Sequence, residues 1–272
     1  VKIGFIGTGS MGRTLVEAFI HAQTFLPSEI VISNRTQHKA DQLAANYPGM
    51  HVAHTNRLLV QEVTCFFICV KPSEFRQVLE EIHEDVQPGQ LAISITSPVM
   101  IEDLEKWLPC KVAKIIPSIT NQVLSGTSLY IPGSRMTLHE QNWLHQLLST
   151  ISSPLKVNEE HTRIVSDLAS CAPAFLANIL EQMVQAAMSR TGIPVEIAVP
   201  LVEQMTLGVG KLLTQGGFTF ETLQQRVAVP GGITAEGLNL LEQELAGTFE
   251  KLFEITHKKY IEDVQKVKKL LE

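Results

Sequence analysis

The chain has 272 residues, 44% hydrophobic and 18% charged, which supports one large domain or two ordinary ones and excludes general disorder. Its formal charge of −6 excludes the basic stripe of a typical nucleic-acid binder. The four cysteines form no C-x-x-C pair and the nine histidines no ligand cluster, so buried thiols in a reducing compartment are expected, and no metal site.

In chain order, Lys2–Ile6 reads as a strand and Met11–His21 as a helix, then Glu29–Ser33 as a strand and Gln37–Asn46 as a helix. Thr64–Cys69, Leu91–Ile95, Lys111–Ile116 and Thr127–Ile131 are further strands, with helices at Ser73–Val86 and Val99–Leu108. Apolar strands alternating with amphipathic helices imply a Rossmann-like α/β domain, residues 1–157, with a parallel sheet covered on both faces. Beyond Pro154-Leu155-Lys156-Val157 the pattern becomes helical throughout. Ala174–Met188, Pro194–Thr214 and Ala246–Leu271 are the main helices of an all-helical second domain, residues 158–272. Its apolar surface is large for its size, so a partner chain is expected to complete it. A strand from residue 2 leaves no room for a signal peptide, and no apolar run is expected to reach membrane length, so the expected location is the cytoplasm with no membrane partner.

"KIGFIGTGSMGRTLVEAF" places Gly7, Gly9 and Gly12 as G-x-G-x-x-G between a strand and a helix. Gly7 suits the tight turn, Gly9 lets a pyrophosphate approach the backbone and Gly12 lets helix and sheet pack closely. Thr8, Ser10 and Met11 complete this loop, and the helix end offers free N–H groups to phosphates. The alternative is an ordinary glycine turn. NAD enzymes usually carry an acid about twenty residues further on. Here the stretch is Ser33-Asn34-Arg35-Thr36, without an acid, and Arg35 suits a 2′-phosphate, so NADP(H) is the expected cofactor.

"FIGTGSMG", "SNRT", "FFICVKP" and "VPGGITAEGLNLLE", in that order, resemble the pyrroline-5-carboxylate reductase family over essentially the whole chain. The last stretch is the most specific. Within the family, "SITSPV", "IPSIT" and "SDLASCAPAF" are most similar to its late-competence branch. The resemblance implies NADPH-dependent reduction of the C=N bond of 1-pyrroline-5-carboxylate to proline, by homodimers that assemble further into decamers. It also implies that Gly7 to Gly12 hold the pyrophosphate and that Asn34 and Arg35 hold the 2′-phosphate. Asn56 would reach the adenosine ribose, and Val70-Lys71-Pro72 would line the cofactor cleft. Thr234 would stand at the imine nitrogen as the catalytic residue, with Gly231, Gly232 and Ile233 cradling the substrate carboxylate on backbone N–H groups at a helix start. Lys71 and Glu236 receive no chemical role.

The family pattern is altered at Val229, where serine is usual, at Ile233, where threonine or alanine is common, and at Ala172 and Pro98, where glycine-bearing stretches are usual. The cofactor half keeps the pattern more fully than the substrate half. Two alternatives therefore stand beside proline formation: another small cyclic imine, or a family member that binds NADP(H) in a non-catalytic, competence-related role.

Overall fold

The computed structural model describes residues 2–272. Eight strands occur in the order β1 Ile3–Ile6, β2 Ile30–Ser33, β3 His51–Val52, β4 Cys65–Ile68, β5 Leu91–Ser94, β6 Lys111–Ile116, β7 Leu129–Pro132 and β8 Leu155–Lys156. Helices α1 Ser10–His21, α2 Gln37–Asn46, α3 Asn56–Glu62, α4 Phe75–Ile82, α5 Ile101–Trp107 and α6 Leu138–Ser149 lie between them. The rest is helical: α7 Thr162–Ser166, a π-helical turn at Asp167–Cys171, α8 Ala172–Thr191, α9 Val195–Thr214, α10 Phe220–Val227, α11 Ile233–Leu245 and α12 Thr248–Leu271.

The sheet runs β3-β2-β1-β4-β5-β6-β7-β8. Strands β1, β2, β4 and β5 are buried at every residue, as strands covered on both faces must be. Alternation sorts their side chains between two cores. Phe5 and Phe67 enter one core with Leu15 and Phe19 of α1, while Ile6, Phe66 and Ile68 enter the other with Leu79 of α4. Phe5 and Phe67 stack with ring centroids 4.8 Å apart.

Two expectations are corrected. The sheet is mixed, because β7 pairs antiparallel with β6, Ile115 facing Tyr130. Period-two burial looks the same in both strand directions, so the sequence could not reveal this. The helical stretch Glu159–Thr191, 33 residues, is long and apolar enough by length and composition to cross a membrane. Its apolar positions are spread over a wide helical stripe rather than an unbroken run, which hid its length.

By packing, the chain forms two compact units. The first runs up to Pro173 and regains Ile255–Glu272; the second is Ala174–Glu254. The division expected after residue 157 follows the last strand, whereas the packed boundary comes later because Glu159–Asp167 and the end of α12 pack on the α/β part. The Lys114 ammonium, fully buried on β6, pairs with Glu159 and donates to the Ser97 carbonyl at 3.2 Å. Arg163 forks onto Asp167, which also accepts from Thr256 of α12. Val267 and Leu271 of α12 are buried in the second core, and the carbonyls of Leu270 and Leu271 accept from Arg76 and Trp107.

In the second unit, Val184 and Ala198 are the buried hydrophobic side chains. Ile179, Met183, Leu201, Met205, Leu207 and Leu240 are exposed. An apolar display of this extent marks a surface that another molecule covers.

Candidate functional site

The strand order reverses direction of growth between β1 and β4, and ligands of open α/β sheets bind outside the carboxyl ends of strands at such a point. A cleft of about 330 Å³ lies there. Its walls come from the ends of β1, β2 and β4 and from α4, and include Gly7, Gly9, Asn34, Arg35, Asn56, Val70 and Lys71. The structure thus gathers most of the residues expected to hold a nucleotide.

The glycine turn is built by close approach. A Cβ on Gly12 would stand 2.2 Å from the Gly7 carbonyl oxygen, and Gly7 itself has φ +94. Both positions exclude other residues. A Cβ on Gly9, by contrast, would meet nothing within 4 Å. Gly9 therefore faces open space, the place a pyrophosphate needs. Gly9 caps α1 with no side-chain hydrogen bond, and the first turn carries no acid. The positive end of a 12-residue helix is left to whatever enters the cleft. The Thr8 hydroxyl is buried without a hydrogen-bond partner among the described residues. A buried orphan hydroxyl beside free helix N–H groups fits a phosphate oxygen. Ser10 and Met11 start α1, and Pro72 opens the 3-10 turn Pro72–Glu74 after β4.

Asn34 ties the second strand to this turn. Its Oδ1 accepts the Thr8 N–H at 3.1 Å, and its Nδ2 donates to the Thr36 carbonyl at 2.9 Å. The Gly7 N–H meets the Ser33 carbonyl at 2.8 Å. Asn56 accepts from the Ser33 hydroxyl at 2.7 Å, and Glu81 receives both its backbone and its amide N–H, at 2.9 and 2.7 Å. Arg35 extends from the β2 end with its guanidinium 2.8 Å from the Glu74 carboxylate. No acid occupies the end of β2, so the cleft suits a phosphorylated ribose better than a bare diol.

Glu74 and Glu81 are functional neighbours that sequence reasoning misses. Glu74 has a signal: it is the third residue of the turn that Pro72 opens, and its carboxylate accepts the Lys71 N–H at 3.2 Å. Glu81 has none, because its place depends on how α4 packs. Thr96 bonds the Val70 carbonyl at 3.0 Å through its hydroxyl, so the stretch before Pro98 steadies the cleft wall. Cys171 accepts from Arg163 at 3.1 Å, which gives the altered Ser170-Cys171-Ala172 stretch a local contact.

Gly231, Gly232, Ile233 and Thr234 lie in the second unit, at the start of α11. Helix α10 ends at Val227, Gly231 turns at φ +72, and Gly232 caps α11. The expectation that Gly232 offers its N–H is corrected, since the Val229 carbonyl takes it at 2.9 Å. The Ala235 N–H turns to the Gly232 carbonyl at 3.1 Å. This leaves the N–H groups of Ile233 and Thr234 without a backbone acceptor among the described residues. Thr234 is exposed, and Ile233 is 94% exposed.

Two family models match the chain. Residues 2–98 match one described as NADP oxidoreductase, coenzyme F420-dependent, and residues 159–263 match one described as pyrroline-5-carboxylate reductase dimerisation. ComE operon protein 4 of Bacillus subtilis is 40% identical over 99% of this chain and 98% of its own. Among solved structures, a pyrroline-5-carboxylate reductase of Coxiella burnetii superposes with a TM-score of 0.82 at 26% identity, covering 99% of this chain and 98% of that one. A pyrroline carboxylate reductase of Plasmodium falciparum described with NADP bound has the same TM-score at 20% identity, covering 100% of this chain and 98% of that one, a likeness of fold.

Proposed function

The chain belongs to the pyrroline-5-carboxylate reductase family of NADP oxidoreductases, and from that premise we propose that it reduces the C=N bond of 1-pyrroline-5-carboxylate to proline with NADPH. The observation that carries the cofactor half is the open end of α1, where Gly9 faces empty space beside the orphan Thr8 hydroxyl. Gly7 to Gly12 hold the pyrophosphate, Asn34 and Arg35 the 2′-phosphate, and Asn56 the ribose, with Val70-Lys71-Pro72 along the cleft. The bound dinucleotide supplies the hydride.

The substrate half is assigned to the start of α11. A small carboxylate is held by the free N–H groups of Ile233 and Thr234 and by the helix dipole, with Gly231, where an added Cβ would meet nothing within 4 Å, giving it room. The Thr234 hydroxyl hydrogen-bonds the ring nitrogen and fixes the imine carbon. A protonated imine is already electrophilic, so orientation and a fitted electrostatic surround account for most of the rate. We assign residues 1–157 to nucleotide binding and 158–272 to substrate and self-association. The exposed apolar face of α8 and α9 is covered by a second copy, giving a homodimer and, from dimers, decamers. The four cysteines are free thiols, as a cytoplasmic chain requires.

The departures at Val229 and Ile233 favour a second reading, a bulkier cyclic imine or a nucleotide-binding role without turnover. NADPH oxidation with 1-pyrroline-5-carboxylate, comparing wild type with Thr234→Ala, tests the assignment. Turnover that collapses in the variant while NADPH still binds supports it. A wild type that binds NADPH and turns over no pyrroline-5-carboxylate refutes it.

A further inference from the structure

Arg35, the residue assigned to the 2′-phosphate, already has an anion. Its guanidinium meets the Glu74 carboxylate at 2.8 Å, and both side chains line the cleft. Glu74 is the better anchored partner. Its second oxygen accepts the backbone Lys71 N–H at 3.2 Å, and its side chain is 27% exposed against 74% for Arg35. A carboxylate fixed by its own helix cap is not free to leave when a ligand arrives.

We propose that Glu74 is an internal competitor for the cofactor phosphate, and that it sets how strongly the cleft prefers a 2′-phosphorylated dinucleotide over an unphosphorylated one. The inference rests on the NADP(H) reading of Arg35. A 2′-phosphate reaching Arg35 meets one of two costs. Either Arg35 leaves Glu74 and that pair is lost, or the carboxylate stays and stands beside a group carrying nearly two negative charges. A ribose with a plain 2′-hydroxyl incurs neither, because it makes no claim on the guanidinium. The competition therefore weakens NADPH selectively and leaves NADH nearly untouched. The second acid of the cleft, Glu81, is engaged twice by Asn56 and does not reach this exchange.

Glu74→Gln removes the charge and keeps the shape, including an oxygen that can accept the Lys71 N–H. The experiment is a fluorescence titration of the full chain with NADPH and with NADH at low and high salt, for wild type, Glu74→Gln and Arg35→Ala. The expected result is that Glu74→Gln tightens NADPH about three- to fivefold and shifts NADH less than twofold, with the gain shrinking as salt screens the charges. Weaker NADPH binding in Glu74→Gln would mean that the carboxylate holds Arg35 ready for the phosphate, and would overturn the proposal, as would equal shifts for both dinucleotides or none. Arg35→Ala separates this failure from that of the underlying reading. If Arg35→Ala binds NADPH as wild type does, the 2′-phosphate is not held by Arg35 and both fall. If it loses NADPH alone, the phosphate assignment stands, and the shift in Glu74→Gln by itself upholds or overturns the competition.

Discussion

Gly9 and Gly12 are three residues apart in one turn, and alanine at each should fail differently. A Cβ at position 12 would lie 2.2 Å from the Gly7 carbonyl oxygen and 3.0 Å from the Cys69 Cβ. A carbon–oxygen contact needs roughly 3.3 Å, so α1 must withdraw from the turn by about 1 Å. Overpacking against backbone costs about 1–3 kcal/mol. Alanine returns up to ~1 kcal/mol as a better helix former. Gly12→Ala should therefore lose about 1–2 kcal/mol, a fall in Tm of roughly 2–6 °C for a chain of this size. At position 9 the added methyl meets nothing within 4 Å, and φ is −68, which alanine tolerates. Gly9→Ala should keep its stability to within ~1 kcal/mol. The same methyl stands where the pyrophosphate must approach, and losing one or two charge-assisted hydrogen bonds to the helix end weakens NADPH about 10- to 100-fold. Differential scanning fluorimetry and NADPH titration on both variants separate the two effects. Wild-type NADPH affinity in Gly9→Ala would refute the phosphate cradle and leave an ordinary glycine turn.

Two further outcomes follow from the packing. Glu159→Gln should cost about 3 kcal/mol in urea denaturation, the lower end of the range for a broken buried pair because Glu159 is a quarter exposed, whereas replacing both partners, Lys114→Met with Glu159→Leu, should cost little or stabilise. Burial holds the Lys114 pKa below the ordinary lysine value of 10.5, against the opposing pull of Glu159, so the unfolded chain binds this proton more tightly. Wild type should accordingly gain stability relative to Lys114→Met as pH rises toward 10.5, and a constant difference from pH 7 upward would contradict the assignment. Burial also pushes the Cys110 thiol up to about 11, so at pH 8 only about one molecule in a thousand carries the thiolate. Cys110 should resist a maleimide until denaturant unfolds the chain, and rapid labelling of the native protein would show that its surroundings open.

The nucleotide turn is legible in the sequence because only glycine satisfies its geometry, and glycine spacing survives there. Strands β1, β4 and β5 are legible as short apolar runs. What escapes depends on tertiary placement. Two-residue β3 and β8 are too short to show a period. Helix α6 does carry a local sign, the Thr137 and Glu140 capping box, in a stretch that otherwise reads as connection. Lys114 sits in "KVAKII" as one polar residue in an apolar strand, and only the fold shows that Glu159, 45 positions on, receives it. Glu74 is visible as a cap, but its reach to Arg35 across the cleft mouth is not. The start of α11 is legible as a helix mouth, and only the turn geometry shows that the Gly232 N–H is already spent.

The return of the last eighteen or so residues to the first unit bears on the order in which the molecule is made. Domains usually fold in turn as the chain leaves the ribosome, amino end first. Here Val267 and Leu271 are core residues of a sheet begun at Ile3, and Arg76 and Trp107 wait for carbonyls at positions 270 and 271. The nucleotide fold therefore closes only after the end of α12 has been made. A nonsense mutation in the final two turns of α12 should damage a cleft encoded some two hundred residues earlier.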